Sequence, residues 1–523
     1  MEVKDRGIRL IKKGKKGLLS IIFSRFWIMS LLIVLQFIVL FMMVFQYGEY
    51  RQHYDIVKNV FVTLMVLYVL NHPMNSNAKI TWLVLVMLFP VFGALFFWFT
   101  QLELGHRMEK VRLEHIINMT RTAIPQHKEV LKKVSEESAE TEALVHYLAR
   151  SGCYPIYDKT DVTYFPSGEA KFAELLIQLE QAKDFIFLEY FIIEEGIMWG
   201  RILEILAKKA EEGVEVRLMY DGTCESSLLP HDYPRRLAEL GIKCKMFAPV
   251  TPFLSTHYNY RDHRKIVVID GKVAFTGGVN LADEYINEKE CFGHWKDTAV
   301  MLRGEAVKSF TLMFLQMWNV REKNNNFYKY INVPAVSVKE AKGYVIPYGD
   351  CPLDDDRVGE RVYMDILNRA NKYVHIMTPY LIIDGEMETA LRFAAKRGVD
   401  VKIILPGIPD KKYAFALAKT HYKHLLDAGV KIYEYTPGFV HAKVFISDDC
   451  KAVVGTINLD YRSLYHHYEC AAYMYRTDCI ADIERDFEKT LTKCTHVTKD
   501  SIKKERLLFK IAGWVLKVVA PLM

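Results

Sequence analysis

The chain has 523 residues, of which 51% are hydrophobic and 25% charged, and its formal net charge at pH 7 is +6. This length allows two or three domains and this composition suits both globular domains and membrane segments, whereas the small positive charge gives no indication of nucleic-acid binding. Nine cysteines without a C-x-x-C pair argue against a zinc site and indicate mostly reduced side chains in a cytoplasm-facing protein.

The first hundred residues are predicted to form a membrane region behind a basic N-terminus. Residues 1–26 carry eight Lys or Arg against two acidic residues, and the stretch 27–47 that follows has no charge. A second uncharged stretch covers 80–100, where Pro90 and Gly93 are compatible with a membrane helix. Each stretch is long enough to cross a hydrocarbon core of about 30 Å as a helix, so we predict two spans.

The number of spans decides on which side of the membrane the rest of the chain lies. The segment 59–70 is mostly apolar but too short to span, which favours an interfacial or re-entrant segment. Two spans after a cytoplasmic basic N-terminus place everything beyond residue 100 in the cytoplasm, whereas three would place it outside. At the other end, 501–523 is either a basic amphipathic helix in the membrane interface or an ordinary terminal helix packed on the domain.

Between these ends the chain carries an internal repeat. After a charged, helix-compatible connector at 101–139, strand-like and helix-like segments alternate from "DFIFLEYFII" at residue 184 to "IKCKMF" at residue 242. The same order returns from "KYVHIMTPYLII" at residue 372 to "VKIYEY" at residue 430, after a polar link, "YGDCPLDDDRVGE", at 348–360. Such alternation is typical of α/β folds, and it predicts two similar α/β domains at 140–326 and 340–500.

Each half of the repeat ends in the same short motif. "HRKIVVID" begins at His263 and "HAKVFISD" begins at His441, so His, Lys and Asp recur at identical offsets. Gly and Asn follow both copies at matching offsets, which makes coincidence negligible. The candidate catalytic residues are those of the two motifs: His263, Lys265, Asp270, His441, Lys443 and Asp448.

Each motif is predicted to form a β-hairpin with the His and Lys on one strand face. The predicted two-residue turns are Asp270-Gly271 and Asp448-Asp449, and the first pairs Ile269 with Lys272. Side chains two positions apart share a strand face, and glycines beside them permit close approach of a ligand. The predicted phosphate-binding residues are Gly277, Gly278 and Asn280 in the first copy and Gly455, Thr456 and Asn458 in the second.

Two His, two Lys and two Asn around glycine-lined space suit one phosphoryl-transfer site. Lys supplies a charge for phosphate oxygens and Asn a neutral donor, so the chemistry needs no metal and no cofactor. One His attacks phosphorus, and the other protonates the leaving alcohol and then deprotonates the incoming one. In-line displacement places these groups on opposite sides of the phosphorus, which a pseudo-twofold arrangement of the motifs provides. The two copies therefore predict one site.

The Asp of each motif is expected to be structural. Asp270 lies at the turn, on the strand face opposite to His263. Each His needs another acidic partner to fix its tautomer. The predicted His-orienting residues are Asp297 in "HWKDTAV" and Glu469 in "HHYECAA", each at the start of a strand-like segment after its hairpin.

These motifs resemble those of the phospholipase D superfamily, whose signature is a doubled HKD motif. Within it, "NYRDHRKIVVIDGKVAFTGGVNLADEY", "FVHAKVFISDDCKAVVGTINLDYRSLYHHYEC", the N-terminal membrane region and the ending "APLM" are similar to the bacterial cardiolipin synthases. The resemblance covers nearly the whole chain, with small departures at Tyr260 and Thr456. It implies transmembrane helices followed by two phospholipase D-like α/β sandwich domains in a pseudo-twofold bilobal unit, in a multi-pass protein of the bacterial cell membrane with cytoplasmic catalytic domains.

The resemblance also implies an activity. Two phosphatidylglycerol molecules give cardiolipin and glycerol through a phosphatidyl-histidine intermediate, so the expected partners are phosphatidylglycerol and anionic membrane lipids, without nucleic acid. We assign His263 as the nucleophile and His441 as the general acid/base, although the symmetry of the motifs leaves the reverse assignment open.

Other activities use the same residues. A hydrolytic phospholipase D takes water as the second nucleophile, and another phosphatidyl transferase, such as a phosphatidylserine synthase, takes a different alcohol. A nuclease of the superfamily usually lacks membrane spans and needs a basic, aromatic-lined groove. A non-catalytic membrane scaffold is at odds with the intact His and Lys of both motifs.

Overall fold

The computed structural model describes residues 10, 34, 38, 51–101, 107–249, 260–320, 322, 326–336, 338, 341–354 and 356–522. It divides into two compact units, a larger one from 1–11, 109–249 and 259–514 and a smaller one from 12–108, 250–258 and 515–523. Apart from three isolated positions, the predicted basic stretch 1–26 and the predicted span 27–47 lie outside the described residues.

The smaller unit contains helices α1 (Arg51–Asn71), α2 (Ser76–Leu88) and α3 (Pro90–Gln101). The segment 80–100 is not one helix as predicted, because Pro90 disfavours helical geometry at Phe89, where φ is −134° and ψ is 74°. A Cβ on Gly93 would lie 2.7 Å from the Leu85 carbonyl oxygen, so the two helices meet closely at this kink. The predicted interfacial segment 59–70 lies inside α1. Among the described residues, no helix combines the length and the apolar character that crossing a membrane requires.

In the larger unit, helices α4 (Arg107–Thr120), α5 (Lys128–Glu137) and α6 (Ala139–Ser151) precede the first sheet, partly where the sequence predicts a connector. We call residues 160–319 the first half and residues 344–496 the second half. The strands of the first half are β1 (Thr160–Phe165), β2 (Phe185–Tyr190), β3 (Glu215–Asp221), β4 (Lys243–Phe247), β5 (Arg261–Asp262), β6 (Ile266–Ile269), β7 (Val273–Gly277), β8 (His294–Lys296) and β9 (Ala299–Gly304). Its helices, with one that follows it, are α7 (Gly168–Glu180), α8 (Ile197–Glu211), α9 (Thr223–Ser227), α10 (Tyr233–Ala238), α11 (Val307–Asn319) and α12 (Tyr328–Ile331).

The second half repeats this order of elements. Its strands are β10 (Tyr344–Asp350), β11 (Tyr373–Met377), β12 (Leu381–Ile382), β13 (Asp400–Pro406), β14 (Lys431–Tyr435), β15 (Gly438–Val440), β16 (Val444–Ser447), β17 (Lys451–Gly455), β18 (Leu459–Asp460), β19 (His467–Tyr475) and β20 (Cys494–His496). Its helices and the two that follow it are α13 (Val358–Arg369), α14 (Gly385–Lys396), α15 (Lys412–Ala428), α16 (Tyr461–Tyr465), α17 (Cys479–Leu491), α18 (Lys499–Lys503) and α19 (Leu507–Val519). The polar link predicted at 348–360 begins inside β10, all of whose residues are buried.

The two main sheets have the same strand order. The first runs β1–β9–β7–β6–β2–β3–β4, and the second runs β10–β19–β17–β16–β11–β13–β14 with β20 added at its edge. In both, the three strands joined by helical crossovers are parallel and the hairpin strands are antiparallel. The fold is therefore mixed α/β, and the repeat predicted from the sequence is present in its topology.

The sheets share one core and are each covered by helices on the other face. Leu302 of β9 and Ala274 of β7 belong to the same buried cluster as Val454 of β17 and Ala472 of β19. A second cluster packs α7 and α8 on the first sheet, and a third packs α13 to α15 on the second. This order of layers, helix, sheet, sheet and helix, buries both faces of both sheets and presents the two motif hairpins to each other.

The motif hairpins differ from the predicted register by one residue. Ile269 pairs with Val273, not with Lys272, and Ser447 pairs with Lys451, so each turn has three residues. Asp270 and Gly271 take positive φ of 52° and 63°. The Asp270 amide donates to the Phe185 carbonyl at 2.9 Å, which extends the ladder to the neighbouring strand and fixes where the turn begins.

Candidate active site

Two short parallel strand pairs join the halves beside the motifs. β5 pairs with β19, with Asp262 opposite Tyr468, and β15 pairs with β8, with Val440 opposite Lys296. The backbone continues each pair by one step, since the His263 amide donates to the Tyr468 carbonyl at 3.0 Å and the His441 amide donates to the Lys296 carbonyl at 2.7 Å. Each motif histidine is thereby placed opposite an acidic residue of the other half.

Each motif histidine contacts a carboxylate from the opposite half. Nδ1 of His263 lies 2.9 and 3.0 Å from the two carboxylate oxygens of Glu469, and Nδ1 of His441 lies 2.7 Å from Oδ2 of Asp297. All four side chains are buried. An Nδ1–H that donates to a carboxylate leaves Nε2 as the nitrogen with the free lone pair, so each contact selects one tautomer. The structure thus brings together the predicted histidines and the predicted orienting residues, and it adds that the pairs cross the halves.

The motif lysines lie against the same histidines. Nζ of Lys265 donates to the His263 carbonyl at 2.7 Å, and Nζ of Lys443 donates to the His441 carbonyl. Nζ of Lys443 also lies 2.9 Å from Nδ1 of His441. One ring nitrogen cannot donate to Asp297 and accept from Lys443 at once, and we place its proton on the contact with the charged acceptor Asp297.

Burial and mutual charge shift the titration of these groups. Burial lowers the pKa of Lys265 to about 8 and that of Lys443 to about 7. Burial, reinforced by the lysine charges, lowers the pKa of His441 to about 4 and the pKa of His263 well below its usual range. The site therefore holds neutral imidazoles beside ammonium groups that lose their protons more readily than free lysine.

The two orienting carboxylates are electrostatically different. Burial raises the pKa of Glu469 well above its usual range, and its neighbours do not offset this. At Asp297 burial acts in the same direction, but His441 and Lys443 outweigh it and lower the pKa. Asp297 is therefore the more acidic of the two orienting carboxyl groups and stabilises a charged imidazole more strongly than Glu469 does.

The motif aspartates hold the start of a neighbouring strand. The carboxylate of Asp270 accepts from the backbone amides of Lys183, Asp184 and Phe185 at 2.7–2.9 Å. In the second half, the Asp448 carboxylate accepts in the same way from the amides of residues 371, 372 and 373 at 2.7–2.9 Å. Both side chains thus satisfy three donors that the strand ladder leaves unpaired.

Asp448→Asn is expected to lower the free energy of unfolding by about 1–3 kcal/mol, because an amide that keeps the shape and the tolerance for positive φ cannot accept all three bonds. The measurement is urea denaturation of the purified protein. Asp449→Asn is the matched control, since Asp449 shares the turn and the positive φ but is exposed. Equal stability of the two variants would contradict a structural role for Asp448.

The predicted phosphate-binding glycines are surrounded by the protein's own backbone. A Cβ on Gly278 would clash with Oδ1 of Asp297, and one on Gly277 would lie 2.5 Å from Cα of Ala299. A Cβ on Gly455 would lie 2.5 Å from the Cys470 carbonyl oxygen. These glycines therefore permit the close approach of neighbouring strands, and their contact with a phosphate stays a prediction.

The remaining predicted phosphate ligands have protein contacts as well. The Thr456 hydroxyl donates to Oε2 of Glu469, so it supports an orienting carboxylate. The side chain of Asn280 accepts from the Ile192 amide at 3.1 Å and donates to the Tyr285 hydroxyl at 2.7 Å. Oδ1 of Asn458 is buried and has no hydrogen-bond partner among the described residues.

Aromatic rings that the motifs do not identify flank both histidines. Phe191 and His467 lie beside His263, with ring centroids 4.9 and 5.3 Å away. Tyr285 and Trp295 lie beside His441 in the same way, at 5.3 and 5.4 Å. The spacing that could have identified two of them is simple, since Trp295 and His467 each stand two residues before an orienting carboxylate.

Three groups of described residues have the geometry to hold a cation, with ligand atoms within 4.8 Å of one another. One lies at this site and consists of His263, His467 and Glu469. The other two consist of His375, Glu484 and Glu488, and of Glu360, Asp384 and Glu386.

Comparison with known proteins places the halves in one family. Residues 175–318 and 363–491 match the family described as "Cardiolipin synthase, PLD-like domain". A cardiolipin synthase of Alkalihalophilus pseudofirmus is 32% identical over 89% of this chain and 92% of its own length, and cardiolipin synthase 2 of Bacillus anthracis is 34% identical over 86% and 87%. An uncharacterized protein of Streptococcus mutans is 59% identical over 88% of this chain and 99% of its own.

A solved structure has the same fold. The phosphatidylserine synthase of Haemophilus influenzae superposes with a TM-score of 0.55 at 15% identity, covering 69% of this chain and 93% of that protein. At this identity the likeness concerns the fold alone.

Proposed function

The chain belongs to the cardiolipin synthase family with phospholipase D-like domains and is a phosphatidyltransferase, and from this premise we propose that it joins two phosphatidylglycerol molecules into cardiolipin and glycerol. The observation that carries the proposal is the crossed pairing of His263 with Glu469 and of His441 with Asp297, which assembles one site from two halves. We assign residues 140–326 and 340–500 to the two phospholipase D-like domains.

In the first step His263 is the nucleophile. Its Nε2 lone pair attacks the phosphorus of one phosphatidylglycerol and the bond from phosphorus to the glycerol headgroup oxygen breaks. His441, neutral without substrate, takes up a proton when the anionic phosphodiester binds, and as an imidazolium it gives its Nε2 proton to that oxygen. Lys265 and Lys443 stabilise the charge on the phosphoryl oxygens. The product is a phosphatidyl-histidine with free glycerol.

In the second step the same groups act in reverse. The headgroup hydroxyl of a second phosphatidylglycerol attacks phosphorus, His441 takes its proton, and the bond from phosphorus to Nε2 of His263 breaks. This releases cardiolipin and restores both histidines to their starting protonation states.

The electrostatic difference between the halves supports this assignment of roles. A general acid needs an imidazolium form, and the ionised Asp297 beside His441 stabilises that form, as does the negative charge of the bound phosphodiester. A nucleophile needs the neutral form, and burial with the Lys265 charge lowers the pKa of His263 well below its usual range, while Glu469, whose pKa burial raises, supports an imidazolium less strongly than Asp297 does. If His441 were the nucleophile, it would have to be neutral beside the ionised Asp297, and His263 would have to carry the proton beside Glu469.

The product profile tests the activity. Purified protein in phosphatidylglycerol vesicles should form cardiolipin and glycerol in equal amounts, with serine added as a competing acceptor. Phosphatidic acid as the main product would favour a hydrolytic phospholipase D, and phosphatidylserine would favour a phosphatidylserine synthase; either result overturns the proposal.

We also propose a bacterial cell-membrane location, with the catalytic halves at the cytoplasmic face and the chain anchored by the segments 27–47 and 80–100. Large exposed apolar side chains on α1 support it, including Val57 at 67% and Leu64 at 60% exposure. In the larger unit, α19 rests on α15 through Gly513, whose Cβ position lies 2.6 Å from the Ala416 carbonyl. Its Leu508 is 81% exposed, which suits a helix with one face in the membrane interface.

Trp514 of α19, which is 59% exposed, is expected to insert into the lipid interface. Brominated phosphatidylglycerol in proteoliposomes should quench its fluorescence, so Trp514→Phe should lower the total quenching, and the rest should come from Trp27, Trp82 and Trp98 in the proposed anchoring segments. Trp318→Phe is the control, because Trp318 is buried and its loss should leave the quenching unchanged. The same quenching in wild type and Trp514→Phe would show that this helix faces water.

A further inference from the structure

Trp295 and His467 occupy equivalent places in the two strand pairs that join the halves. Trp295 lies opposite Phe439 in one pair, and His467 lies opposite Arg261 in the other. Each lies two residues before an orienting carboxylate in the sequence. The residue opposite each one, Phe439 or Arg261, lies two residues before a motif histidine. The equivalence therefore comes from the backbone register and not from sequence likeness, since the two side chains differ.

The two rings also make equivalent contacts with the reacting groups. The His467 ring centroid is 5.3 Å from that of His263, and the Trp295 ring centroid is 5.4 Å from that of His441. Each side chain is more than nine-tenths buried, with 6% and 7% exposure. One nitrogen-bearing ring is thus fixed beside each motif histidine.

The nitrogens of these rings have no hydrogen-bond partners among the described residues. This holds for Nε1 of Trp295 and for both ring nitrogens of His467, although Nδ1 of His467 lies 3.6 Å from the Glu469 carboxylate. Leaving a buried N–H unpaired destabilises the folded state, because the group loses its hydrogen bonds to water without gaining a partner. Two of them at equivalent positions beside the reacting histidines call for one common reason.

The chemistry of the two rings limits which hydrogen-bond partner they can have in common. The indole nitrogen of Trp295 is a donor only, so its partner must be an acceptor. A neutral His467 offers one donor and one acceptor nitrogen, so it can serve an acceptor in the same way. If the rings served packing alone, a phenyl ring would fill both places without an unpaired nitrogen, and Phe191 and Phe439 already do so nearby. A non-bridging oxygen of a phosphodiester bound at His263 and His441 would supply the acceptor that both donors lack.

We propose that Trp295 and His467 form a pair of hydrogen-bond donors for the non-bridging oxygens of the phosphodiester, one beside each reacting histidine. This deepens the proposed function and rests on it. Lys265 and Lys443 supply charge, and the ring nitrogens supply fixed direction, because both rings are held by backbone pairs that cross the halves.

The test compares donor-free and donor-keeping variants of the full chain. Trp295→Phe and His467→Phe keep an aromatic ring and remove the donor, whereas His467→Asn keeps a neutral donor. Inorganic phosphate is the probe, and its dissociation constant is measured by calorimetry, independently of turnover. Each phenylalanine variant should bind phosphate about tenfold or more weakly, and the turnover number should fall with it, while His467→Asn should recover most of both.

Trp318→Phe is the matched control, because Trp318 is buried outside the site. The melting temperature of each variant shows whether a loss of phosphate binding comes from a loss of folding. If His467→Phe fails to fold, Trp295→Phe and His467→Asn still test whether the ring nitrogens bind phosphate. Unchanged phosphate affinity and turnover in Trp295→Phe and in a folded His467 variant would overturn the proposal. A wild type that binds phosphate through these donors but forms no cardiolipin would instead overturn the proposed function.

Discussion

Replacing either His263 or His441 by alanine is expected to lower cardiolipin formation at least about 1,000-fold. The reason is that each half supplies one histidine to a single site and orients the histidine of the other half, through Glu469 and Asp297. Two independent sites would instead leave a large part of the activity in each variant. The measurement is the initial rate of cardiolipin formation by purified protein in phosphatidylglycerol vesicles.

His421→Ala is the matched control for these variants. His421 is also buried and bonded to a carboxylate, Oε2 of Glu388 at 2.8 Å, but it lies on α15 outside the motifs. Its rate should stay close to that of the wild type. Mixing the two inactive motif variants should restore nothing, because the crossed contacts lie within one chain. Wild-type turnover in either motif variant would contradict the shared site.

Much of the fold follows from local patterns in the sequence. The strand-like segment "DFIFLEYFII" at residue 184 contains β2, Phe185–Tyr190, and "KYVHIMTPYLII" at residue 372 contains β11, Tyr373–Met377. Such elements are predictable because apolar patterns act within a few residues. The presence of two similar halves could also be predicted from the sequence, because the motif and its surroundings occur twice.

The features that were missed depend on contacts between distant residues. A two-residue turn at Asp270-Gly271 fits the local sequence, but three amide bonds from residues 183–185 to the Asp270 carboxylate fix a three-residue turn. The sequence likewise identified Asp297 and Glu469 without indicating which histidine each contacts, because that depends on strand pairs between the halves. The close packing at Gly277 and Gly455 was missed for the same reason, since the strands that crowd them are remote in sequence.

Asp297→Asn and Glu469→Gln are each expected to lower turnover about 100- to 10,000-fold, because an amide does not hold the Nδ1–H tautomer or support an imidazolium. The control is Glu484→Gln, which alters a similar pair outside the motifs, His375 Nδ1 with Oε1 of Glu484 at 2.9 Å. That variant should keep nearly wild-type turnover. A large loss there would mean that breaking any buried His–carboxylate pair disables the protein through folding alone.

The two carboxylate variants should differ in which step they slow, because each acts on the histidine of the other half. A phosphodiester with p-nitrophenol as its leaving group needs no proton from His441 for the first step. With it, Asp297→Asn should release a rapid burst of nitrophenolate equal to the protein concentration and then stall, since His441 can no longer deprotonate the incoming alcohol. Glu469→Gln should slow the burst itself, because Glu469 orients the attacking His263. The opposite pattern would make His441 the nucleophile, and identical kinetics in both variants would contradict the crossed pairing.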